Sequence, residues 1–157
     1  SCESLHAGTP IVVNVTGGLQ DQCGFYKKNW SPDGSGYSID YLTAEDYVEL
    51  QSNHRGTYMD HGEWVKPVFP TNISLQGSPL TPYIFDDRCS YEDAGEALLE
   101  WYKVGPKERE RCGELGRQFV LNEGRMTGKH MSESFIKNIE ATFKNWKPRE
   151  QYTLEAV

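Results

Sequence analysis

A short β-branched run at residues 11–15, Ile-Val-Val-Asn-Val, is fenced by Gly8 and Pro10 on one side and by Gly17-Gly18 on the other. That arrangement is the strongest constraint in the chain. A run so short and so apolar, bounded by residues that break regular structure, is the usual look of a buried parallel strand. Residues 1–7 read as the end of a helix, with Gly8 as its stop. A glycine pair just past the carboxyl end of a strand lies where open α/β sheets receive ligands. Without a Cβ there, backbone N–H groups can approach an anion closely.

The ordered set Glu-x4-Gly-Thr-Pro-Ile-Val-Val-x-x-x-Gly-Gly-Leu-x-Asp runs without a gap from Glu3 to Asp21. It resembles the donor-binding domain of GT-B glycosyltransferases, in particular the glycogen-synthase-like, group 1 retaining enzymes. In that likeness Glu3 falls on the second glutamate of a Glu-x7-Glu motif, and Gly8-Thr9-Pro10 on a Gly-Thr-Pro. Gly17-Gly18 falls on paired glycines, and Asp21 on a position that is usually acidic. The inverting UDP-glycosyltransferase signature is similar over residues 3–8, but its acid-glutamine pair falls too early to align with Asp21-Gln22.

The resemblance implies an α/β, partly Rossmann-like fold with parallel strands, in which 1–157 is a single domain and a piece of a longer enzyme. It implies a nucleotide-sugar donor held by Glu3, Thr16, Gly17 and Gly18, with Glu3 accepting two hydrogen bonds from a ribose diol. The parent protein would transfer the sugar to an unknown acceptor with retention, without a metal and without a cofactor. The basic pair that holds the phosphates and the first glutamate of Glu-x7-Glu would lie before Ser1, so no catalytic residue is assigned and this chain alone is expected to be inactive. Alternatives are a GT-B relative such as a nucleotide-sugar epimerase, or a non-enzymatic carbohydrate-binding module.

Composition narrows the partners. A net charge of −7 argues against nucleic acid, whose phosphates need a basic face. No run is long and apolar enough to suggest a membrane span. Cys2, Cys23, Cys89 and Cys112 form no metal-binding pair, and scattered thiols fit a cytoplasmic location. Three glycosylation-type triplets, at Asn14, Asn29 and Asn72, point weakly the other way.

Residues 22–81 read as an insertion rich in Gly, Pro, Asn, Ser and aromatic residues. Thr43 with Asp46 forms a capping box for a short helix. The aromatic residues Phe25, Tyr26, Trp30, Tyr37, Tyr41, Tyr58, Trp64 and Phe69 suit a core, or a surface that stacks on sugar rings. His54, Asp60, His61 and Glu63 crowd together, but neighbours in a strand point apart, so no metal site is expected. Residues 82–88 read as the next strand. Helices are expected over 90–103, 106–122 and 132–146, the last burying Phe135, Ile139, Phe143 and Trp146. A half-complete sheet would leave an edge exposed, so a homodimer across that edge is expected.

Overall fold

The computed structural model describes residues 1–124 and 126–149, a mixed α/β chain with small parallel and antiparallel sheets. Helix α1 is Cys2–His6 and strand β1 is Ile11–Asn14. A 3-10 helix over Gly17–Cys23 leads to a hairpin of β2, Tyr26–Trp30, and β3, Tyr37–Tyr41. Helix α2, Ala44–Leu50, and strand β4, Val65–Val68, come next. A second hairpin follows, β5, Asn72–Ser78, with β6, Thr81–Arg88. Helices α3, Tyr91–Lys103, α4, Gly105–Leu121, and α5, Gly128–Asn145, complete the order. The chain divides into two compact units, Ser1–Arg125 and Met126–Val157.

In the first unit the parallel pair is β1 with β4, in register from Ile11 opposite Val65 to Asn14 opposite Val68. The expected next strand, 82–88, is a strand, but it pairs antiparallel with β5 and takes no part in the β1 sheet. The parallel partner sits instead inside what reads as an insertion. The reason lies in burial: Val65 and Val68 are buried, whereas Ile84 and Phe85 are exposed, so only the Val65–Val68 segment can extend the core. Helix α3 packs across β4 and β1, where Trp101 donates its indole N–H to Ile11 O at 3.1 Å. Helix α4 packs against α1, with Gly113 and Gly116 buried.

Trp64 is the centre of this core. Its ring stacks on Phe119 with centroids 4.5 Å apart, and its Nε1–H donates to Gln22 O at 3.0 Å. Gly24, Gly62 and Gly116 wall it in, since a Cβ at any of them would come within 3 Å of the tryptophan. Under the loop that follows α2, buried Asn53 hydrogen-bonds Tyr58 in both directions and donates its N–H to Gln20 Oε1. Thr43 and Asp46 do form the capping box of α2.

The second unit contains α5. Thr127 caps it, accepting from His130 N. Phe135, Ile139, Phe143 and Trp146, expected to be buried, are 65, 40, 80 and 66 % exposed. Their spacing does make one apolar face, but periodicity specifies only a face and not what covers it. Residues 150–157, beyond the last expected helix, lie outside the described residues.

Candidate functional site at the carboxyl end of the parallel strands

Hydrogen bonding carries β1 one residue past Asn14, because Val15 N donates to Val68 O at 2.9 Å. Thr16 is still extended, with φ −148° and ψ 149°, and the chain then turns abruptly into the 3-10 helix. Gly17 makes that turn with φ +45°, a left-handed conformation that favours glycine. A Cβ built on Gly17 or Gly18 would meet nothing within 4 Å, so the turn faces open space. The first N–H groups of a helix have no partner within it, and here they belong to this glycine turn. The glycine pair thus opens a short 3-10 helix.

Thr16, Gly17 and Gly18 therefore stand together at the carboxyl end of the parallel pair. Glu3 stands apart. Its side chain is 94 % exposed and lies 3.6 Å from the Ser1 ammonium. A hydrogen bond from its own backbone amide holds the Glu3 carboxyl below its usual range, and the Ser1 ammonium and His6 add to the effect. Among the described residues, no hydrogen bond or ion pair joins Glu3 to the glycine turn.

The structure adds residues that the sequence gives no reason to select. Asp87, near the end of β6, accepts a 2.6 Å hydrogen bond from Thr16 Oγ1 across 71 positions of chain. Two residues on, the Cys89 thiol donates to Asn14 Oδ1 at 2.8 Å and to Val68 O at 3.7 Å. Burial and the nearby Asp87 and Asp93 carboxylates push that thiol's pKa up. Asn14 and Val68 end the two parallel strands, so the β5–β6 hairpin is stapled to the mouth of the site. A carboxylate thereby lies beside the glycine turn, and it opposes an incoming anion. Asp21, on the same 3-10 helix, is exposed as a residue, yet its carboxyl is desolvated enough to raise its pKa.

Other features were candidates for chemistry and have structural employment. An open depression of about 600 Å³ is lined by Gly8, Pro10, Val12, Leu98, Trp101 and Arg109, among others, at the amino end of β1. That is the end away from the glycine turn. Its one guanidinium, Arg109, is spent on the last carbonyls of α3, Trp101 O at 2.7 Å and Tyr102 O at 3.3 Å. In the acidic-imidazole stretch, Asp60 pairs with Lys28, and His61 Nδ1 lies 2.9 Å from Gly62 O. Glu63 meets Glu108 and Cys112 from α4, with potential ligand atoms within 4.8 Å of one another. The Arg111 guanidinium already bridges both carboxylates, at 2.5 and 2.6 Å, and burial pushes the Cys112 thiol's pKa up. A cation there would have to displace an arginine.

The aromatic residues of the insertion divide. Phe25 and Trp64 are core, and Phe69 packs on Phe25 at 5.9 Å. Trp30 and Tyr37 are a surface pair on the first hairpin, 65 and 46 % exposed, with ring centroids 5.0 Å apart. Cys23, Cys89 and Cys112 are free thiols. No helix among the described residues is long and apolar enough to cross a membrane. Comparison with known protein families, with curated proteins and with solved structures returns no match.

Proposed function

We propose that this chain is part of the donor-binding domain of a retaining GT-B glycosyltransferase, with a partly Rossmann-like arrangement, acting in the cytoplasm. The observation that carries the reading is the glycine turn: Thr16, Gly17 and Gly18 open a helix at the carboxyl end of a parallel strand pair. Helix start and strand end together make a receptor for phosphate groups. Helix α1, strand β1 and the glycine turn in succession support the reading, although two hairpins and α2 stand between that turn and the closing helices.

In this role the backbone N–H groups of the turn receive the donor's diphosphate, and Glu3 accepts from the ribose hydroxyls. The leaving diphosphate is stabilised by the helix start and by basic side chains contributed from elsewhere in the parent enzyme. Of the partners expected from the sequence, the acceptor is not identified by any residue here. A second copy of the chain would pair along β1 or β4, each of which has one strand neighbour among the described residues.

The test is calorimetric titration of the chain with UDP, GDP and ADP, repeated with Glu3→Ala. One of the three should bind, and Glu3→Ala should weaken it about tenfold to a hundredfold, as loss of a charge-assisted contact does. Binding that ignores Glu3→Ala would remove Glu3 from the site, and no binding by any form would count against the reading for this chain.

The Trp30–Tyr37 pair favours a second reading, a carbohydrate-binding surface on the first hairpin. Exposed rings can stack on the apolar faces of sugars. In that case Trp30→Ala abolishes oligosaccharide binding and Glu3→Ala leaves it unchanged.

A further inference from the structure

Helix α5 has a division of side chains that the donor-site reading does not use. Stepping 100° per residue, Met131, Phe135, Ile139, Phe143 and Ile136 fall within an arc of about 140°. All five are exposed, between 40 and 80 %, and Trp146 at the C-cap is 66 % exposed. The remaining arc is charged and polar: Lys129, Glu133, Lys137, Glu140 and Lys144, with His130 beside them. Lys147 and Arg149 follow directly after the tryptophan, both exposed.

Charge separates this segment from the rest of the chain. Residues 128–149 hold five basic and two acidic side chains, a net of +3 within a total of −7, so all other residues together carry −10. A helix with aromatic and aliphatic residues on one face, three lysines among two glutamates on the other and little overall hydrophobicity has the form of one that lies in a membrane interface. Spanning is excluded for it, since no described helix is apolar enough. Apolar area supplies the insertion, and lysines in the opposite arc face the anionic headgroup layer. Tryptophan at the helix end, followed by Lys147 and Arg149, matches the amphipathic residues enriched at headgroup depth.

We infer that α5 is a membrane-surface helix that docks the chain, by its Met131–Phe135–Ile139–Phe143 face, on an anionic lipid bilayer. The helix lies parallel to the surface, with its apolar face about 5–10 Å into the headgroup–acyl boundary.

The experiment is co-sedimentation of the full chain with vesicles of phosphatidylcholine, with and without about one third phosphatidylserine. Binding to the anionic vesicles is expected, weakening as salt rises. The double variant Phe135→Glu, Phe143→Glu should lower the partition coefficient by at least about a hundredfold, because two buried rings are replaced by charges. Lys137→Gln with Lys144→Gln should lower binding to the anionic vesicles about tenfold or more and leave binding to neutral ones unchanged. All four side chains are exposed, so folding should not depend on them, and circular dichroism checks that. Failure of the wild-type chain to bind anionic vesicles overturns the inference, as does binding that survives Phe135→Glu, Phe143→Glu. A concentration-dependent dimer that the glutamates dissociate, with no vesicle binding, overturns it in favour of a protein partner.

Discussion

Gly113 and Gly95 are both glycines inside long helices, yet their surroundings give them opposite roles. A Cβ on Gly113 would sit 1.8 Å from Gly8 O and 2.6 Å from Gly8 C, so backbone would have to move. Gly113→Ala is expected to destabilise the fold by at least about 1–3 kcal/mol through overpacking. Around Gly95 there is nothing within 4 Å, so Gly95→Ala should stabilise by about 0.5–1 kcal/mol through helix propensity alone. Urea midpoints of the two variants, measured at equal slope, check both signs. At the candidate site the residue of interest is Asp87. A carboxylate about 6 Å from a phosphate costs about 0.7 kcal/mol per phosphate charge in water-like surroundings. Asp87→Asn keeps an acceptor for Thr16 and removes that charge. Nucleoside diphosphate affinity should rise about threefold or more, read by the same calorimetric titration. A fall in affinity would mean that Asp87 is needed to position the turn.

Helix α2 has no fully buried residue, and polar contacts fasten it: its cap, described next, and the half-buried Tyr47, whose hydroxyl donates to Gln20 O at 3.4 Å. Thr43 caps it, and Asp46 returns the bond to Thr43 N while pairing with Lys27 at 2.5 Å. The Lys27 ammonium, followed by the Thr43 amide and hydroxyl, holds the Asp46 carboxyl at about 2, against an ordinary 3.8. The folded-state pKa is the lower one, so the carboxylate form favours folding. Its contribution is complete above about pH 4 and is lost as pH falls through 3.8 towards 2. A pH series of urea unfolding should show that slope in wild type, and Asp46→Asn should flatten it. The β5–β6 hairpin is likewise fastened by polar contacts at its base, Thr16 to Asp87 and Asn14 to Cys89, while Leu75 and Phe85 farther along are exposed.

At the scale of the molecule, every buried hydrophobic residue from Leu5 to Val120 belongs to the first unit. A chain ended after residue 125 should therefore keep the full cooperative transition, with a urea midpoint equal to that of the longer chain. Loss of the transition would mean that the second unit contributes to the core.

Local rules were enough for much of this chain. The strand that begins at Ile11, the stop at Gly8, the cap at Thr43 and the start of α4 at Gly105, one residue before the expected Pro106, each depend on neighbours a few positions away, and a sequence displays those directly. Glycines at positions 17 and 18 likewise announce a turn. Which strand lies beside β1 was decided only by tertiary structure, because Val65–Val68 and Thr81–Arg88 both read as extended and burial alone separates them. The same holds for Asp87 against Thr16, joined across 71 residues, and for the division of the aromatic residues between core and surface. Periodicity gives the apolar face of α5 but no partner for it. Long-range contacts are set by the closure of loops and the competition of whole faces for the core, and no single stretch of sequence contains either.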